Sequence, residues 1–405
     1  MRIVVSILIG LVLAAPLAAQ TRPRGRDLGI PFPGKTGPQN AITDVAGIAV
    51  GHVTLIEGEG KLVPGKGPIR TGVTAILPRP KGNWDPVFAA TFNLNGNGDM
   101  TGINWIKESG FMEGPILLTG THSVGTVRDA AIQWQVKNGR NFVFTYPIVA
   151  ETFDLMNDAN GEHVKPMHAL QALDSAKPGR VQEGSVGGGT GMGCNGFKGG
   201  IGTSSRVLPV EAGGYTIGVL VQCNYGGDLR ILGVPIRQEI GDLRPCTTLS
   251  QPLTREWTRG MPVCSSDRGA NAVPEEQDYV GRGSIIVIVA TDAPLLPHQL
   301  ERLTRRVGMG LGRLGSWAGN SSGDLFLAFS TANAGAGSPE GTPSLKMLPN
   351  DRIDPLFRAT IDATEEAVVN AMLAAETMTG ADGIRLYGLP GDRVVAALKK
   401  YNRMK

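Results

Sequence analysis

Between Gly283-Ser284 and Thr291 the chain carries an unbroken apolar run, Ile285-Ile286-Val287-Ile288-Val289-Ala290, rich in β-branched residues. A strand apolar at every position must be covered on both faces, so this run predicts a central, fully buried strand. Elsewhere the polarity switches over shorter distances. Ile48–Val53, Thr71–Leu77, Val87–Phe92 and Gly114–Thr119 predict short strands, two of them stopped by the turn formers Pro78 and Asn93–Gly98. Phe142–Tyr146, ending at Pro147, predicts another, as do Tyr215–Gln222 and Phe326–Thr331. Helical spacing appears in three places. His122–Val136 predicts one helix. Leu300, Leu303, Val307, Leu311 and Leu314 form a single apolar stripe that Gly315 closes. Asp354-Pro355 opens a long helix expected to reach about Met378 and to close at Gly380.

Ser284 has two readings. It is a strand-start residue whose hydroxyl bonds nearby backbone, or it is a nucleophile exposed by a cut at Gly283–Ser284. The preceding segment bears on the choice. Residues 265–282 are polar and charged, the kind of exposed loop where chains are nicked. A loop of that length inside a compact domain needs a reason, and a break directly after it supplies one.

Composition narrows the function classes. With 405 residues, 41% hydrophobic and 19% charged, the chain suits one large α/β domain. The net charge of +3 and the lack of a basic run with interleaved aromatics argue against a nucleic-acid partner. The 57 glycines imply many tight turns or a site built from main chain. Met1-Arg2, the apolar Ile3–Ala15 and the small-residue exit Pro16–Ala19 read as a secretory signal, residues 1–19, cut after Ala19. That predicts a periplasmic or secreted protein with no stable membrane span. An exported chain can keep disulfides. Cys246 and Cys264 flank a polar, Pro-containing segment and form a candidate disulfide, whereas Cys194 and Cys223 read as buried thiols. No Cys/His spacing suggests a metal, and no cofactor is expected.

The densest glycine cluster, Gly184–Met192, is neither a P-loop nor a dinucleotide fingerprint. Its amides either face an anion or oxyanion, with Thr190 and Gly191 as candidate donors, or simply form a close-packed turn.

Ordered stretches along the chain resemble a known family. They are Thr121-His122-Ser123-Val124-Gly125, Tyr146-Pro147-Ile148-Val149-Ala150-Glu151-Thr152, Gly187-Gly188-Gly189-Thr190-Gly191-Met192, Phe197-Lys198-Gly199-Gly200-Ile201, Gly283-Ser284-Ile285-Ile286 and Ser321-Ser322-Gly323-Asp324. From about Asp44 to Pro390 the chain is similar to the autoprocessed serine aminopeptidases of the L-aminopeptidase/D-esterase and β-peptidyl aminopeptidase type. The resemblance implies a four-layer αββα sandwich, similar to N-terminal-nucleophile hydrolases but differently connected. It implies self-cleavage into an α chain, residues 20–283, and a β chain, residues 284–405, assembled as a homotetramer of αβ units. The substrates implied are short peptides, amides or esters, from which the N-terminal residue is released. It also implies that Ser322 and Asp324 orient Ser284 and its amine, and that Asn224 and Tyr146 stand at the active site as donors. Relatives often carry glutamate where Asp324 stands. His122 and Lys198 fall in matching stretches with no role assigned.

The chemistry can be argued without the family. A serine hydroxyl needs a base. The five histidines stand in no recognisable nucleophile or base motif. An α-amine, with a pKa of about 7.7–8.0, can act as base near neutral pH. A cut before Ser284 would put that amine on the nucleophile's own residue, and before the cut the same nitrogen is a non-basic amide. Two other readings remain open here: an ornithine-type acetyltransferase of the same fold, and a non-catalytic periplasmic peptide-binding protein.

Overall fold

The computed structural model describes residues 22–250, 253, 255, 258–259, 261–264 and 283–405. The expected signal, 1–19, and the polar loop, 265–282, lie outside the described residues. Ten strands build the two main sheets: β1 (Ala49–Glu57), β2 (Ile69–Leu77), β3 (Val87–Asn93), β4 (Phe111–Met112), β5 (Ile116–Gly120), β6 (Ile148–Thr152), β7 (Gly200–Val207), β8 (Thr216–Tyr225), β9 (Gly283–Thr291) and β10 (Gly323–Ser330). Four form a sheet in the order β1-β2-β5-β6, and six form a second in the order β4-β3-β10-β9-β8-β7. In the larger sheet β9 pairs antiparallel with β8 and parallel with β10.

The apolar run explains why β9 sits there. Ile285, Val287 and Val289 face one core, while Ile286, Ile288 and Ala290 face another. The first core lies under two helices, α3 (Pro297–Arg313) and α4 (Asp354–Ala374). The second lies between the sheets, where Ile76, Leu118 and Ile148 meet Leu220, Ile288 and Leu327. On the far side of the smaller sheet, α1 (Val124–Lys137) and α2 (Pro166–Asp174) cover Val73, Leu117 and Val149. The layers therefore run helix, sheet, sheet, helix, the αββα sandwich that the motifs implied.

The expected stripe of α3 is buried along its length, and Gly315 follows with φ +87°. Three expectations need correction. The helix expected from His122 begins at Val124, after a single tight turn over Thr121–Ser123. α4 stops at Ala374 rather than about Met378, because Ala375 turns extended to lead into a short strand, Met378–Thr379. Phe142–Tyr146 is no strand. Val143 is 98% exposed and Phe144 62%, and pairing starts only after Pro147, at Ile148. Proline lacks the ladder donor, and the buried pattern begins beyond it.

Ile288 is wholly buried in the layer between the sheets. Ile288→Ala is expected to destabilise the fold by about 2–5 kcal/mol. Denaturant unfolding checks this, and a loss below about 1 kcal/mol would show that the layer repacks freely.

Candidate active site

A cavity of about 340 Å³ opens where β8, β9 and β10 meet the end of the layer between the sheets. Ser284 lies in its wall. Its side chain shares a face with Ile286 and Ile288, because residues two apart on a strand point the same way. The ladder fixes its place twice: Asn224 is its partner across β8, and Gly323 its partner across β10. The Gly323 amide donates to Ser284 Oγ at 3.1 Å. The residue before it must be glycine. Gly283 has φ +107°, and a Cβ there would stand 1.9 Å from the Asn224 carbonyl oxygen.

Asp324 lies in β10, whereas Ser322 immediately precedes it and closes a turn, its amide donating to the Gly319 carbonyl at 2.9 Å. Ser322 Oγ donates to Asp324 Oδ1 at 2.7 Å, and the Asp324 amide donates to Asn95 Oδ1 at 2.8 Å. Asp324 is fully buried and its Oδ2 has no partner among the described residues. Burial pushes its carboxyl up to about 6, against the opposing pull of the Ser322 hydroxyl and the Ile285 amide.

Asn224 ends β8 beside the serine. Its Oδ1 accepts the Gly193 amide at 2.9 Å, and its Nδ2 donates to the Phe153 carbonyl at 2.9 Å. Gly193 belongs to a tight hairpin in which Gly193-Cys194 pairs with Phe197-Lys198. The turn residues Asn195 and Gly196 both have positive φ, 50° and 77°, as a two-residue hairpin turn of this hand requires.

The other candidates stand elsewhere. Tyr146 is 43% exposed, its ring centroid 5.6 Å from that of Phe144 and 6.3 Å from that of Trp105, and it does not line the cavity. Thr190 and Gly191 are buried and do not line it either. The Thr190 amide already donates to the Gly187 carbonyl at 3.2 Å, and a Cβ on Gly191 would meet the Arg70 carbonyl at 2.1 Å. The glycine cluster is thus a close-packed turn, and the amide reaching the cavity comes two residues later, from Gly193.

Sequence reasoning gave no role to Glu151, at the end of β6 on the opposite wall. Its Oε1 accepts the Asp99 amide at 2.9 Å, and its Oε2 accepts the Thr121 hydroxyl. Burial raises its pKa, the Thr121 and Asp99 hydrogen bonds oppose this, and the Asp99 charge adds to the rise. The readable signal was an acid closing an otherwise apolar strand. Phe153, Leu155, Phe197 and Leu386 make the remaining wall largely apolar.

No histidine lines the cavity. His52 bonds Thr74 Oγ1 at 2.9 Å, and burial pushes it down to about 4. Cys246 and Cys264 form a disulfide, as expected. Cys194 and Cys223 are buried, but they too are joined, where two thiols had been expected. The hairpin lies on β8 through the Asn195 amide and the Tyr225 carbonyl, 2.7 Å apart, which brings the two Cα atoms to 5.7 Å. Among the described residues no cluster of His, Cys, Asp and Glu could hold a metal, and no helix is long and apolar enough to cross a membrane.

Comparison with known proteins agrees with this geometry. The sequence model of peptidase family S58 matches residues 40–386. A beta-peptidyl aminopeptidase, BapA of Sphingosinicella microcystinivorans, is 48% identical over 404 residues, 98% of this chain and 97% of its own. The structure of the L-aminopeptidase D-Ala-esterase/amidase from Ochrobactrum anthropi, described as a variant of the Ntn hydrolase fold, superposes with a TM-score of 0.81 at 42% identity, covering 95% of this chain and all of that one. A Burkholderia sp. beta-aminopeptidase gives 0.79 at 44% identity, over 93% and 99% of the two chains.

The raised Asp324 carboxyl sets a pH dependence. Its buried charge costs nothing below the unfolded value of about 3.8, grows through the interval up to about 6, and is fully present above it. The stability of an uncut Ser284→Ala chain relative to the same chain carrying Asp324→Asn should therefore fall by up to about 3 kcal/mol between pH 4 and 7. Urea titrations at several pH values read this directly. A difference that does not change with pH would show that Asp324 is not desolvated.

Proposed function

The chain belongs to peptidase family S58 and is an aminopeptidase, and from that premise we propose that it matures by cutting itself between Gly283 and Ser284 and then hydrolyses substrates through an acyl-enzyme on Ser284. Membership in a peptidase family sets aside the transferase and binding-protein readings. The observation that carries the mechanism is a buried serine at the start of a strand, in a cavity wall without histidine, preceded by a position where only glycine fits. Such a serine lacks a base until the cut frees its own α-amine.

In the proposed cycle the amine accepts the proton as Ser284 Oγ bonds to the substrate carbonyl carbon. The oxyanion that forms takes a hydrogen bond from the second N–H of Asn224 Nδ2, the first staying on the Phe153 carbonyl. The protonated amine then gives its proton to the departing nitrogen or oxygen as that bond breaks. Water, deprotonated by the same amine, attacks the acyl carbon; the bond to Ser284 Oγ breaks, Oγ takes the proton back from the amine, and the free acid leaves. Ser322 and Asp324 hold the strand end beneath the nucleophile. Glu151 would hold the ammonium of the substrate's N-terminal residue, which explains why an acid sits on the wall of an otherwise apolar cavity.

The reading extends to substrates, assembly and location. The substrates are short peptides, amides or esters with a free amine, and N-terminal β-residues are included because two of the relatives are named for β-aminopeptidase activity. The chains assemble as a homotetramer of αβ units. The protein is exported to the periplasm or beyond, with its signal removed after Ala19.

Two measurements test this. Denaturing electrophoresis should give two chains, residues 20–283 and 284–405, while Ser284→Ala stays as one band and hydrolyses none of the H-L-Ala, H-D-Ala and H-β-Ala p-nitroanilides. A single uncut wild-type band with full activity would sink the mechanism. Glu151→Gln, in protein that has been cut, should raise KM for a free-amine substrate roughly 10- to 100-fold, as expected for a lost charged hydrogen bond. An unchanged KM would remove Glu151 from amine recognition.

A further inference from the structure

Lys198 is wholly buried, and its ammonium donates to three backbone carbonyls: Met192 O at 2.8 Å, Gly199 O at 2.9 Å and Gly189 O at 3.4 Å. Burial pushes the ammonium down to about 7, as expected for a cation held by dipoles alone. A buried lysine with no carboxylate against it among the described residues is a costly way to fill space. Its position shows what it does. It sits on the return strand of the hairpin, directly paired with Gly193, while its main-chain amide donates to the Tyr387 carbonyl at 2.7 Å and ties that strand down. Its side chain turns back to the carbonyl of Met192.

That carbonyl and the Gly193 amide belong to one peptide unit. A trans peptide is planar, with C=O and N–H pointing in opposite directions. Anchoring Met192 O from one side therefore aims Gly193 N–H to the other, where it meets Asn224 Oδ1 at 2.9 Å. The Gly199 amide adds a second donor to Met192 O at 2.9 Å. With Oδ1 occupied, the Asn224 amide can orient only one way. Its NH₂ is left as the donor on the residue that pairs with Ser284 across the ladder.

We infer that Lys198 is a positioning residue for the acyl-transfer step: through the Met192–Gly193 peptide it fixes the orientation of the Asn224 side-chain amide. Polarisation runs the same way, since a cation on the carbonyl makes the N–H of that peptide a stronger donor. The inference rests on the proposed serine mechanism, but it can fail without it.

The test is a double-mutant cycle on the full-length protein, with p-nitroanilide turnover normalised to the fraction of cut chain. Lys198→Met should lower kcat roughly 100-fold, the loss typical of a displaced oxyanion donor, and leave KM within about twofold. Asn224→Ala alone should lose about as much. The pair together should be no slower than Asn224→Ala, because both remove one function. Lys198→Gln keeps a neutral donor and should recover part of the loss. Multiplicative losses in the double variant, an unchanged kcat in Lys198→Met, or a rise confined to KM each overturn the inference. So does loss of folding in both Lys198 variants by circular dichroism, which would make the lysine a requirement of the core alone. If the wild-type chain is active while uncut, the serine mechanism itself has failed, a different outcome from additivity.

Discussion

The pairing of Ser284 with Asn224 on one side and with Gly323 on the other is the constraint from which the site follows. A hydroxyl at a free loop end would sample many positions. Here the ladders hold the residue, and the Gly323 amide holds its oxygen. These ladders are in turn kept in register by the two apolar faces of β9, because a slip of one residue would send Ile286 and Ile288 to the helices and Ile285 and Val287 to the sheets. Ser284 is therefore placed by the core, and in the proposed mechanism the packing between the sheets would bear directly on catalysis. Gly283 belongs to the same constraint, since the antiparallel crossing that seats Ser284 brings the Asn224 carbonyl too close for any Cβ.

Placing the site at the end of an apolar layer also sets its electrostatics. Burial is the leading cause of every major shift nearby: upward for Asp324 and Glu151, downward for Lys198. Each group offsets that cost with hydrogen bonds of fixed direction: Asp324 to Ser322, Glu151 to Thr121 and the Asp99 amide, Lys198 to three carbonyls. The outcome is a set of polar groups that do not reorganise when charge appears on a substrate, in surroundings where each hydrogen bond is stronger than in water.

The sequence was most legible where periodicity was strict. β9 and α3 could be read because every apolar position in them is used by the fold, on two faces and along one stripe respectively. Phe142–Tyr146 misled for the opposite reason: its apolar residues are exposed, and the pairing lies on the other side of Pro147. Ser284, Ser322 and Asp324 could be named because family motifs mark them, and Asn224 because the resemblance implied it there; three strand ends bring them together. The glycine cluster drew attention to Thr190 and Gly191, but most of its small residues serve close approach to neighbouring backbone, as Gly191 does against Arg70. Glu151 carried no spacing signal. A lone acid at a strand end has meaning only once β6 is seen to deliver it across from β9.

Asp324 bears on the proposed cut at Gly283–Ser284. Its face of β10 is that of Phe326 and Ala328, so the carboxyl lies beneath the strand end and approaches the Ile285 amide, one residue past the proposed cut. One oxygen is engaged by Ser322 and the other has no partner among the described residues. A buried, unsatisfied carboxylate oxygen is destabilising in an intact chain. Cleavage at Gly283–Ser284 would change that balance by creating a cation within a residue of it. The ammonium would favour the ionised carboxylate, and the carboxylate would in turn hold the amine near the hydroxyl it must deprotonate. Under the proposed cleavage, the carboxylate and the doubly paired strand end would form one arrangement, in which the uncut chain carries an electrostatic cost that cutting removes.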